Sequence, residues 1–154
     1  MVKIKSKLRT PLLVALAVLL IDQISKWIIT IIVPQNGAIA LITNGLYLSN
    51  LRNTGAAFSI LSGQNTLLIF VALAAAAVIV YYLKTEHRRF AIPLALILGG
   101  VLGNLLDRIR LGHVVDFVDF RIWPVFNLAD SAITIGVILV IYQAYLKEKI
   151  EKYK

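Results

Sequence analysis

The chain contains no cysteine. That excludes disulfides, thiolate metal sites, a cysteine nucleophile and lipidation of its own sulfur, so the protein is not itself a lipoprotein. Histidine is nearly as scarce: there are 2, His87 and His113, and neither stands in a metal-ligand spacing such as HExxH. His113 reads as a polar loop residue. Acid is rare as well, with 8 Asp and Glu against 16 Lys and Arg, a formal net charge of +8. Such an excess raises nucleic acid as a partner. The basic residues, however, cluster outside the apolar runs and lack the aromatic interleaving that single-strand binders use, so no nucleic-acid partner is expected.

What the sequence has in abundance is apolar side chains, 59% of all residues, with a mean hydropathy of +0.82. An ordinary soluble domain carries far less, so a mainly α, integral membrane protein is predicted. A bilayer is crossed by roughly 20 helical residues, and four stretches qualify: about 11–33, 66–83, 90–109 and 129–146. The first follows Lys3, Lys5, Lys7 and Arg9 as a signal peptide would, but it is too long and has no small-residue cleavage site. It is read as a retained span. No repeat, low-complexity tract or second domain is visible, so residues 1–154 are expected to form a single membrane-embedded domain.

Basic residues alternate by side: the N-terminal arm, the Lys84/Arg88/Arg89 turn and the tail from Lys147 to Lys154 are rich in them. The positive-inside rule places both termini in the cytoplasm and the segments about 34–65 and 110–127 outside. In the first outer segment, Asn44-Gly45 and Asn53-Thr54-Gly55 punctuate short alternating runs, which predicts a small hairpin-like sheet.

The acids are placed unevenly. Glu86, Glu148 and Glu151 lie in basic flanks, whereas Asp22, Asp107, Asp116, Asp119 and Asp130 lie in or beside apolar segments. A charged Asp at mid-span costs about 2.5 to 3.5 kcal/mol on insertion scales, so partners or function must compensate. With the predicted topology, Asp22 and Lys26, Asn104 to Arg108, and Asp130 all fall near one depth at the outer surface. Each also has a plainer reading. Asp22 and Lys26 suit a helical ion pair, and Asp107 suits a helix-end pair with Arg108 or Arg110. Asn127 and Asp130 match a variant capping box, which can coexist with a reacting carboxylate. "HVVDFVDF" favours a strand, on which Asp116 and Asp119 point to opposite faces; on a helix they would share one. Trp123-Pro124 then marks a turn or interfacial anchor that returns the chain to Asn127.

The ordered set "DQISK" (22–26), "NTGAAF" (53–58), "GGVLGNLLDR" (99–108), "VVDF" (114–117) and "FNLADS" (126–131) resembles the bacterial lipoprotein signal peptidases, or signal peptidase II, aspartic proteases of the cytoplasmic membrane. The match covers nearly the full chain. The resemblance implies four transmembrane helices, a small extracytoplasmic β-sheet that cradles substrate, and a short extracytoplasmic helix or loop over the site. It implies a catalytic dyad of Asp116 and Asp130, supported by Asn53, Gly55, Asn104, Arg108, Asn127 and the Asp22/Lys26 pair, with Asp107 a structural acid. The substrate it implies is a diacylglyceryl-modified prolipoprotein, cut on the N-terminal side of the modified Cys. No metal or organic cofactor is required, membrane lipid is a partner, and a monomer suffices. The stretch between the dyad acids is shorter here than is common in the family, which bears on loop shape more than on chemistry.

Two close carboxylates can share one proton and so supply both the base and the acid that peptide hydrolysis needs. Competing readings are a Ser131/Lys26 peptidase, a small proton or ion transporter and a noncatalytic assembly factor.

Overall fold

The structure is a computed structural model that describes residues 2–55, 61–85 and 88–152. Its elements follow in the order α1 (Val2–Ile32), β1 (Ala38–Ile42), β2 (Leu46–Asn53), α2 (Asn65–Thr85), a 3₁₀ turn (Arg88–Phe90), α3 (Ala91–Leu111), β3 (Val114–Asp119) and α4 (Leu128–Lys152). The long helices contain apolar spans at Leu8–Ile32, Asn65–Thr85, Arg88–Leu111 and Leu128–Lys149, each long enough to cross a bilayer. Their bounds lie within a few residues of the predicted ones, because helices run on past the apolar window wherever nothing breaks them.

The helices run up, down, up and down. The helix α3 packs against all of the other three and is accordingly the most enclosed, with Ala95, Leu98 and Leu105 buried. One core joins Ala15 of α1, Ile79 and Leu83 of α2, and Ala95 and Leu98 of α3. The remaining faces of α1, α2 and α4 expose Leu, Ile, Val and aromatic side chains all along their length, as a surface solvated by lipid does.

The chain stops being helical at defined places. Pro34 follows α1, and a tight turn carries the Gly37 N–H back to the Pro34 carbonyl at 2.8 Å. The β1–β2 hairpin turns through Asn44, whose φ of 61° lies in the left-handed region that Asn tolerates. At the end of α3, Gly112 takes φ 77° and donates its N–H to the Arg108 carbonyl, a left-handed cap that favours glycine.

The predicted hairpin is real but incomplete as a description: β3 adds to it, giving an antiparallel sheet in the order β1-β2-β3. The strand reading of "HVVDFVDF" holds. Phe117 packs with Ile29 and Val33, so the sheet leans on the last turns of α1. Beyond β3 the chain passes Trp123-Pro124 and comes back, with the Phe126 carbonyl accepting from the N–H groups of Phe117 and Val118. Among the described residues the outer segments supply strands and turns and no helix; Ala56 to Phe58 of the "NTGAAF" stretch lie outside them.

Candidate active site

At the sheet end of the bundle, α4 begins with a reciprocal cap. Asn127 Oδ1 accepts the Asp130 N–H at 2.9 Å, while Asp130 Oδ2 accepts the Asn127 N–H at 3.2 Å. This is the capping box read from the sequence. The next free N–H of that first turn, from Ala129, is taken by Asp22 Oδ1 of α1 at 2.9 Å. A carboxylate deep in α1 thus fixes where α4 starts, and with it the position of Asp130.

Such close approach needs Gly103. A Cβ there would lie 2.5 Å from Asp22 Oδ2, well inside van der Waals contact. Lys26 then bridges the helices: its ammonium lies 2.8 Å from Asp22 Oδ2 and 2.9 Å from Asp107 Oδ2, and it donates to Asn104 Oδ1 at 2.9 Å. The ion pair predicted for Asp22 and Lys26 is present and is one part of a triad. Asp107 is the structural acid that the resemblance implies, and the plainer reading of it as a helix-end partner of Arg108 or Arg110 does not hold. On a helix, adjacent residues diverge by about 100°, so Asp107 turns toward Lys26 while Arg108 turns to Gly55, donating to its carbonyl at 2.9 Å.

Asn104 passes the constraint on. Its Oδ1 accepts from both Lys26 and Asn127 Nδ2, so its own amide N–H must face the other way, where it donates to Asp130 Oδ1 at 2.8 Å. Asn127 Nδ2, wholly buried, also donates to Asp116 Oδ1 at 2.6 Å. The other Asp116 oxygen accepts from Asn53 Nδ2 at 2.8 Å, and Asn53 is oriented by the Gly55 N–H on its Oδ1 at 2.9 Å. All nine predicted site residues therefore join one connected hydrogen-bond network.

A bulge in β2 makes this possible. Leu48 pairs with Val118 and Leu51 with Asp116, so β2 spends one more residue than β3 over that interval. The extra residue inverts the alternation of side chains. Ser49 consequently falls on the Asp119 face and donates to Asp119 Oδ2 at 2.7 Å, whereas Asn53 falls on the Asp116 face. Asp119 is also held by the Arg121 N–H at 2.8 Å. It is buried, as Asp116 is, but it belongs to a different cluster.

Asp116 and Asp130 line one cavity of about 610 Å³ together with Asn53, Asn104 and Arg108, and its other walls include Val125, Phe126, Ile133 and Ile135. Burial pushes the Asp116 carboxyl up to about 7, and the neighbouring charge of Asp130 pushes in the same direction; the hydrogen bonds from Asn53 and Asn127 oppose both. A buried acid that keeps its proton to neutral pH, beside a second carboxylate and an apolar trough, is equipped for proton transfer at a bound amide.

Residues 14–146 match the family described as Signal peptidase (SPase) II. The chain belongs to the signal peptidase II family. It is 45% identical to the lipoprotein signal peptidase of Moorella thermoacetica over 138 residues, covering 88% of this chain and 92% of that one. It is 42% identical to that of Halothermothrix orenii over 140 residues, covering 90% and 97%. A solved bacterial membrane enzyme superposes with a TM-score of 0.86 at 36% identity, covering 93% of this chain and 91% of that one. Another gives 0.80 at 35%, covering 88% and 92%.

As a member of the signal peptidase II family, the chain is a peptidase and a multi-pass bacterial membrane protein. Sequence reasoning passed over Gln23, whose Nε2 donates to Asp107 Oδ1 at 2.9 Å and to the Gly103 carbonyl at 3.2 Å. Its signal was available: a second polar residue beside Asp22 within an apolar span needs a partner. The Ser131/Lys26 alternative finds no geometric support. Lys26 is engaged by Asp22, Asp107 and Asn104, while Ser131 Oγ donates to the Asn127 carbonyl of its own helix at 3.0 Å.

Proposed function

We propose that this peptidase is of the aspartic type, with Asp116 and Asp130 as its catalytic dyad, and that it removes signal peptides from diacylglyceryl-modified prolipoproteins. The connected network that presents both carboxylates to one half-apolar cavity carries this reading. The relatives named as lipoprotein signal peptidases point to the substrate.

The scissile carbonyl enters the cavity between the two acids. With one proton shared by the pair, one carboxylate takes a proton from water as it attacks, and the other, protonated, hydrogen-bonds the carbonyl oxygen. The proton then passes to the departing amine. Roles belong to the pair and follow the substrate pose. Ile133, Ile135 and Phe126 border the space beside the acids where acyl chains on the modified Cys would lie, against lipid. Cleavage falls on the N-terminal side of that Cys. The site faces the outer leaflet with both termini in the cytoplasm, since Lys84, Arg88, Arg89, Lys147 and Lys149 stand at the opposite end of the bundle from the sheet. On this reading the peptidase works as a monomer.

The test is cleavage of a diacylated prolipoprotein by purified Asp116→Asn, Asp119→Asn and Asp130→Asn proteins. Near-complete loss is expected for the first and third, and retained activity for the second. Loss with Asp119→Asn alone, or activity surviving in Asp116→Asn, would sink the dyad.

A further inference from the structure

A second cavity, of about 550 Å³, lies at the same end of the bundle, across the Lys26/Asp107 wall from the dyad. Alternation and helical period assign its lining. On β2, Asn53 faces the dyad and Arg52 faces the second cavity; on α3, Asn104 and Arg108 face the dyad while Asp107, Arg110 and Leu111 face the second cavity.

The cations of this end are not equivalent. Lys26 pairs with Asp22 and Asp107, and Arg121 lies 3.5 Å from Asp119 and over the Tyr47 ring. Arg108 lines the dyad cavity. Arg52 and Arg110 have no carboxylate partner among the described residues, and these two share the second cavity. The one acid there, Asp107, is already held by Lys26, Gln23 and the Val115 N–H. Two unneutralised guanidinium groups on a cavity wall suit a phosphate, which the planar fork of Arg binds through paired hydrogen bonds.

The cavity is also bordered by Trp27, which is 64% exposed. Trp27 heads a stripe at helical spacing on α1 that runs from the cavity away from the sheet, through Ile24, Leu20 and Leu16, all exposed. An apolar track that leads from a cationic cavity into the bilayer fits a lipid better than a free anion.

We propose that this cavity is a binding site for the phosphate headgroup of a phospholipid in the leaflet at the sheet end, with Arg52 and Arg110 holding the phosphate and the α1 stripe taking an acyl chain. The site is separate from the dyad and does not rest on the catalytic reading: Asp116→Asn protein binds the lipid as wild type does.

The full chain in neutral detergent, titrated with dioleoylphosphatidylglycerol and followed by native mass spectrometry, should take up one lipid with high affinity. Charge-assisted hydrogen bonds of this kind make each Arg→Gln change weaken binding by about tenfold, and the Arg52→Gln/Arg110→Gln pair by about a hundredfold. Arg110→Lys, which keeps the charge and loses the fork, falls between, and guards against misfolding of the double variant. Arg88→Gln/Arg89→Gln protein, altered at the other end, serves as the control and keeps full affinity. Equal affinity in wild type and the double variant would overturn the proposal. So would equal binding of dioleoylglycerol, which lacks the phosphate, or displacement of the lipid by equimolar inorganic phosphate, which would mark a free-anion site.

Discussion

Replacing Lys26 by Met tests the centre of the network. The side chain is 3% exposed, and it stands between Asp22 and Asp107, 0% and 3% exposed, at 2.8 and 2.9 Å. Met fills nearly the same volume, so the change removes charge and leaves packing almost intact. What remains is two buried carboxylates without their shared cation. Breaking a buried pair in this way costs about 3 to 5 kcal/mol, because the orphaned charge stays desolvated. A denaturant titration in mixed micelles should show a loss of that size. Adding Asp107→Asn should recover part of it, since Asp22 still accepts the Ala129 N–H and one orphaned charge is gone. Catalysis should suffer separately. Asn104 loses one of the two donors that fix its amide, so its hydrogen bond to Asp130 is no longer imposed, and kcat falls with KM little changed. A Lys26→Met protein within about 1 kcal/mol of wild type, the range of exposed ion pairs, would refute the reasoning.

Gly103→Ala drives a methyl group against Asp22 and should cost about 1 to 3 kcal/mol by overpacking, read as a lowered unfolding midpoint. Asn127→Ala removes the α4 cap, worth about 1 kcal/mol, together with a hydrogen bond to Asp116; kcat should drop more than stability alone explains, measured on a diacylated prolipoprotein. The Asp116 carboxyl is raised to about 7, so its proton is present below that pH and lost as pH rises through it. The kcat/KM for cleavage should therefore decline by about tenfold per pH unit above about 7, and a flat profile to pH 9 would count against a protonated Asp116. By the same linkage, the contribution of this group to stability is full below the unfolded carboxyl value of about 3.9 and is lost as pH rises through about 7.

Much of the architecture was legible because a bilayer imposes simple rules. A span must be long, apolar and helical, and each Asp or Asn inside one must find a partner, which marks Asp22, Asn104 and Asp107 at once. The Asn127/Asp130 cap was legible because capping acts over four consecutive residues. The plainer reading of Asp107, a pair with Arg108 or Arg110, fails for the opposite reason: both are near in sequence, but helical geometry turns them elsewhere, and the partner lies on α1.

The sequence by itself determined the number of spans, the strand character around Asp116, the cap on Asp130 and the short list of polar residues available for chemistry. These follow from local period and local hydrogen bonding. Only the tertiary structure decided how they connect. The third strand, the β2 bulge that puts Asn53 on the Asp116 face, and the reach of Lys26 to Asn104 join residues 70 or so positions apart. Nothing in local propensity encodes such pairings; they arise because desolvated polar groups must be satisfied, and after packing each has few partners within reach.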